Sequence, residues 1–171
     1  DLTLTADTTF ASTGGGGMGF NGTVNTNATP HALTINTSGA VVFAQTVGNS
    51  GIFSTITTDA TGTTRFNANV SANGNITIND DALIGGTVLV NGGNIAFNGL
   101  VDSVGSTQNL TLNGTGAVTL GGTVGGTTHL NTLSVTGTSI SLRSVTTDGT
   151  QSYSGPAVLN GDLAATTAAN I

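Results

Sequence analysis

The feature that most restricts the fold of this chain is a phrase written twice. GFNGTV occupies residues 19–24 and AFNGLV residues 96–101, and a shift of 77 positions lays residues 15–48 on 92–125 without a gap. Fifteen of those 34 positions are identical, among them Phe20 with Phe97, Asn21 with Asn98, Gly22 with Gly99, Val24 with Val101, Leu33 with Leu110, Asn36 with Asn113 and Gly39 with Gly116. A fainter echo at 74 positions sets DLTLTADTTF (1–10) on NITINDDALI (75–84), and the difference of three marks a small insertion near residues 86–92.

Inside the repeat the local pattern has period two, as in LTLT (2–5), LTI (33–35), ITI (76–78), LTL (110–112) and ISL (140–142). Apolar residues alternating with hydroxyl residues make strands that bury one face and wet the other. Thr, Val and Ile are stiff at χ1 and suit a pleated surface, whereas Gly recurs too often for a helix interior to survive. Asn-Gly and Asp-Gly pairs such as Asn21-Gly22, Asn98-Gly99, Asn113-Gly114 and Asp148-Gly149 separate the strands, because these residues tolerate positive φ and turn the chain cheaply.

Two architectures use strands this short: an antiparallel sandwich of hairpins, or a solenoid in which each strand lies parallel on its equivalent in the next coil. The long gapless repeat favours the solenoid. If the repeat holds four coils, each takes roughly 19 residues, enough for three short strands and three corners. The prediction is an all-β parallel β-helix over residues 1–171, one segment of about nine coils. With strands ~4.8 Å apart, such a rod is ~43 Å long. On this reading Phe20 and Phe97 share one interior stack and Asn36 and Asn113 one corner stack. Phe10, Phe43, Phe53 and Phe66 fill gaps in an aliphatic column, and stability comes from neighbour stacking.

Composition excludes several functions. Gly, Thr and Asn supply 79 of 171 residues, Lys and Glu are absent, and Arg65 and Arg143 are the only permanent cations against eight Asp. Phosphate backbones and anionic lipid are held by clustered cations, so nucleic acid and membrane surfaces are not expected partners. No apolar run reaches the ~18 residues of a membrane helix. Exposed strand edges are normally blunted by charge, proline or a covering helix, and neither DLTLTA at the start nor AATTAANI at the finish is expected to form such a cap. Beginning at Asp1, the sequence suggests a processed or excerpted segment, or one whose copies stack end to end.

The candidate chemistry is sparse. Asp80-Asp81 is the one adjacent carboxylate pair, and neighbours on a strand point to opposite faces, so a loop role is expected. His31 follows Pro30 and His129 lies in a Gly-Thr corner. They are 98 positions apart with no third ligand at metal spacing, and are expected as solvated surface residues. GGGGMGFNG (14–22) has neither the Asp of a calcium-binding nonapeptide nor the Lys of a phosphate loop, and is expected to be a turn. Tyr153, alone and without Trp, offers little stacking surface for sugar or base. Thr3/Thr5 and Thr136/Thr138 are isolated pairs instead of a repeated rank, which argues against an ice-binding face. The seven N-x-S/T sequons match chance in a chain this rich in Asn and Thr. A polysaccharide-cleaving β-helix needs Asp, Lys or Arg grouped on one sheet, and Lys is missing. No catalytic, cofactor-binding or metal site is expected.

TTDGTQSYSGPAVLNGD (146–162), AFNGLV and LTLNGTGAVTLGGTVGG (110–126) are similar to the repeats of very large bacterial exoproteins of the filamentous haemagglutinin-like class. The resemblance implies a right-handed parallel β-helix shaft, export across the outer membrane, and a surface role in adhesion or biofilm, with glycans of the host or surface as partners. The expected function is a non-catalytic structural shaft of a cell-surface adhesin or exoprotein, outside the cell. The alternative is a subunit of an extracellular filament that stacks end to end through its terminal coils.

Overall fold

The computed structural model describes residues 1–167, so the end of the AATTAANI terminus lies outside the described residues. Described residues form short strands and turns, with no helix. The alternating apolar positions bury one side of each strand as their period requires: Leu33 and Ile35 point inward and Thr34 outward, and the same holds for Ile76, Thr77 and Ile78. All strand pairings are parallel. The chain is a three-sided β-solenoid.

The first face comprises Leu2–Leu4, Val24–Thr26, Val70–Ser71, Val88–Gly92, Asn109–Gly114, Thr132–Thr136 and Gln151–Ser154, with Val47 bridging Val24 to Val70. The second is an unbroken eight-stranded sheet of Thr8–Ser12, Ala32–Thr37, Thr55–Thr58, Ile76–Ile78, Ile95–Phe97, Ala117–Leu120, Ser139–Leu142 and Ala157–Leu159. The third holds Met18–Phe20, Ala40–Phe43, Thr63–Phe66, Asp81–Ile84, Val101–Ser103, Val145–Thr147 and Leu163–Ala165, with Val124 bridging Val101 to Val145.

Eight layers make about seven turns, not nine. Seven steps in register carry the second face from Thr8 to Ala157, so a coil takes roughly 21 residues on average, longer than expected. At ~4.8 Å per layer the rod is ~34 Å long.

The core is a set of ladders. Leu33, Ile56, Ile76, Ile95, Val118 and Ile140 stack in register behind the second face. Behind the third face stand Phe20, Phe43 and Phe66, their rings nearly parallel with centroids 4.9 and 5.7 Å apart. Phe10 and Phe97 close this ladder edge-on at 5.4 and 6.5 Å. These five phenylalanines thus form one continuous aromatic stack, not scattered fillers, and offset or edge-on pairs add about 0.5–1.5 kcal/mol each beyond the area they bury. In the lowest layer the lumen turns polar. Gln151 lies under Leu133, where its Nε2 donates to the Ala164 carbonyl at 2.7 Å and its Oε1 accepts from the Tyr153 hydroxyl at 2.8 Å. Burial pushes the Tyr153 phenol up to about 12.

The repeat does not return the same phrase to the same face. Phe20 lies behind the third face and Phe97 behind the second, while Asn36 is on the second and Asn113 on the first. The expected Asn36–Asn113 stack therefore does not form, and Phe97 joins the Phe20 ladder only from the neighbouring face, edge-on through Phe66. With coils of this length, a shift of 77 positions amounts to about three and two-thirds turns, so each phrase reappears one face away. Local structure nevertheless repeats closely. Strands 18–20, 24–26, 32–37 and 40–43 recur as 95–97, 101–103, 109–114 and 117–120. The bridging Val47 recurs as Val124, and the bridged Phe53 as Leu130. The small insertion near 86–92 has a large consequence: strand Val88–Gly92 stands between the two elements that Gly14–Gly17 joins directly in the first copy.

Candidate functional site

Two of the concavities on the surface are made by one local device used twice. In each copy the bridging valine is followed by a glycine with a left-handed backbone, Gly48 at φ 75° and Gly125 at φ 68°. A Cβ at either would collide with a carbonyl of the next coil, that of Ser71 or of Thr146. The chain then swings outward and returns to bury Phe53 or Leu130. A nearly buried side chain on the preceding coil holds each excursion. Asn25 Oδ1 accepts the Ser50 N–H at 3.1 Å, and Asp102 Oδ1 accepts the N–H groups of Thr127 and Thr128 at 3.0 and 3.1 Å. Thr26 N–H donates to the Gly51 carbonyl as Ser103 N–H donates to that of Thr128. Each pair of clamps is related by the same shift of 77 positions.

A groove lies beside each loop. The first, about 350 Å³ on the first face, is bounded by Ile52 and floored by Ser71, Asn91 and Asn113. The second, about 360 Å³ on the third face, runs between the 125–130 loop and the sheet, with Leu83 and Leu100 as apolar floor and Asp81 and Asp102 as acidic groups. Ile52 and Leu100 are 41 % and 42 % exposed. Apart from Val158 and Leu159 on the last strand of the second face, they are the exposed large apolar side chains among the described residues. Sequence inspection missed both grooves, because neither loop differs in composition from an ordinary corner.

The sequence-predicted candidates do not converge. Asp80 turns inward and Asp81 outward, opposite faces as expected, but Asp81 opens strand Asp81–Ile84 instead of taking the loop role expected of the pair. Asp80 accepts the hydroxyls of Thr58 and Thr64, each at 2.7 Å. Burial holds its carboxyl above the usual carboxylate range, against the opposing pull of those hydrogen bonds from Thr64 and Thr58. An acid whose pKa is raised by folding costs stability once it ionises, and the cost disappears as pH falls through the raised value. Urea unfolding followed by circular dichroism is therefore expected to show wild type gaining on Asp80→Asn between pH 7 and 4. A gap independent of pH would contradict this.

The histidines are not the solvated residues expected. His31 is largely buried, its Nε2 has no hydrogen-bond partner among the described residues, and its Nδ1 lies 3.7 Å from Asp7. His129 Nδ1 lies 2.9 Å from Asp148 Oδ1, which also accepts the Thr166 hydroxyl at 2.7 Å. The bond to His129 and then that to Thr166 hold the Asp148 carboxyl below its usual range. Both Asp partners come from the adjoining coil, so spacing along the chain did not reveal them. Among the described residues no group of three or more His or Asp is arranged to hold a metal. Tyr153 faces the lumen and is not a surface platform. Of the 14–22 stretch expected to turn, Gly14–Gly17 make a corner and Met18–Phe20 form a strand.

The threonines are a further correction. The second face carries an outward rank in register through Thr9, Thr34, Thr57, Thr77, Ala96, Thr119 and Ser141. The positions two residues earlier read Ala32, Thr55, Asn75, Asn94, Ala117 and Ser139. The rank is therefore single. It escaped notice because its members lie one coil apart instead of forming Thr-x-Thr pairs.

No protein-family model, no curated protein and no solved structure matches the chain.

Proposed function

We propose that this chain is a length of non-catalytic structural shaft in a bacterial cell-surface adhesin or exoprotein, working outside the cell in adhesion or biofilm. The observation that carries this reading is the unbroken parallel register of the second face through eight layers. Each coil there rests on its neighbours, so length grows by adding layers without altering the core, which suits a molecule whose task is reach. The phrases shared with haemagglutinin-like repeats support the same reading. Mass spectrometry of the polypeptide from its native source is expected to find a chain much heavier than the 16.6 kDa of this sequence. A mature native chain of that mass would overturn the proposal.

A second reading, a filament subunit stacking through its terminal coils, is favoured by the last strand of the second face. Val158 and Leu159 there are 61 % and 43 % exposed, and Leu159 continues an inward column under Leu142. Electron microscopy of the isolated chain separates the readings: concentration-dependent fibres support the filament, and monodisperse monomers at all concentrations exclude it.

A further inference from the structure

The two copies of the clamped loop provide an internal comparison. At the clamp, Asn25 in the first copy corresponds to Asp102 in the second, and both hold their loop through Oδ1. An asparagine therefore suffices for the structural task, and the charge on Asp102 exceeds what the loop requires. Asp102 is only 8 % exposed, yet it lines the groove on the third face, and its Oδ2 has no hydrogen-bond partner among the described residues. Oδ2 keeps access to the groove, so a donor entering from outside the chain can reach it. Two positions earlier the copies differ again. Thr23, whose hydroxyl donates to Asp1, corresponds to the half-exposed Leu100. The second copy thus has a free carboxylate oxygen and an apolar surface where the first has an amide and a hydroxyl.

The rest of the groove narrows the class of ligand. Leu83 pairs with Asp102 across the sheet, and Asp81 precedes Leu83 by two residues, so both carboxylates flank one apolar patch on the same side. From strand spacing and rise, Asp81 and Asp102 are about 8 Å apart diagonally. Asp81 Oδ1 accepts the Leu100 N–H at 2.8 Å, and its Oδ2 has no partner among the described residues. Among the described residues no cation neutralises them. Arg65 is beside Leu83 in the sheet, but its Nε donates to Asn67 Oδ1 at 2.7 Å, beyond the lining of the groove. Thr127 and Thr128, each bearing a hydroxyl, line the same groove. An apolar floor, two unpaired carboxylate oxygens and these hydroxyls match a pyranose ring bearing an ammonium group. The volume, near the lower end of the roughly 300–1,000 Å³ usual for ligand sites, fits one or two sugar units.

We infer that the groove between the third face and the 125–130 loop binds an amino sugar, its ring on Leu83 and Leu100 and its ammonium between Asp81 and Asp102. A lysine side chain could reach the same carboxylates but would leave the hydroxyls unpaired. This inference does not depend on the shaft proposal, since the groove is complete within the described coils.

Titration of the folded chain with a fully deacetylated chito-oligosaccharide, followed by amide chemical shifts, tests it. The expected result is saturable shifts confined to residues 81–83, 100–104 and 127–128, weakened by salt, with the N-acetylated oligomer binding at least about tenfold more weakly. Asp102→Asn retains the clamp atom that Asn25 uses, and Leu100→Thr restores the residue of the first copy. Each is expected to lower affinity by about tenfold with an unchanged circular dichroism spectrum. Absence of shifts with the deacetylated oligomer, equal binding of tetralysine, or unaltered affinity of both variants would overturn the inference.

Discussion

Replacing Phe43 by alanine is expected to remove about 3–5 kcal/mol of stability, the usual cost of deleting a fully buried aromatic ring. Phe43 is the middle member of the aromatic ladder, stacked between Phe20 and Phe66, and its loss leaves each of these rings with only an edge-on neighbour, Phe10 or Phe97. In a solenoid each layer is held chiefly by the layers above and below, so the gap weakens both adjoining interfaces. The corresponding change at Phe10, half-buried and edge-on at the top of the stack, is expected to cost markedly less. Urea unfolding monitored by circular dichroism measures both. A Phe43→Ala cost under about 1 kcal/mol would show that the ladder is not the principal core contact.

The second large effect concerns the two left-handed glycines. Gly48→Val and Gly125→Val are each expected to cost about 3 kcal/mol or more, because a β-branched residue strains that backbone and its Cβ meets a carbonyl of the next coil. The two costs are expected to agree despite their different faces, since the residues hold equivalent places in the repeated device. Gly105 supplies the control. Its φ is 86°, but nothing lies within 4 Å of a Cβ placed there, so Gly105→Ala is expected to show only the conformational cost of about 1 kcal/mol. Thermal unfolding of Gly48→Ala and Gly125→Ala beside Gly105→Ala, the same new residue at each site, separates collision from strain. Equal losses at all three sites would refute the collision.

These two predictions also mark where sequence reasoning succeeded. Alternation such as Leu33-Thr34-Ile35 dictates strands that are apolar on one side, and the Asn-Gly corners dictate their shortness. A repeat of such units closes naturally into stacked coils. The coil length was also present, since Phe20, Phe43 and Phe66 are evenly spaced along the chain, as are Val24, Val47 and Val70, and each set stacks in register. The more conspicuous repeat at 77 positions obscured them by inviting a whole number of coils.

Local matters are dictated by the order of amino acids alone: which residues face inward, where the chain turns, and that successive turns can stack in parallel. Phase is not, and it emerges only in the assembled solenoid. Coil length varies from layer to layer as corners gain or lose residues, so the face on which Phe97, Asn113 or Leu100 falls is a running total of all earlier corners. A strand with one apolar side packs equally well on any of three equivalent faces, and no short-range preference selects among them. The grooves, the His–Asp contacts and the Thr rank all join residues about one coil apart, and the strand registers bring them together.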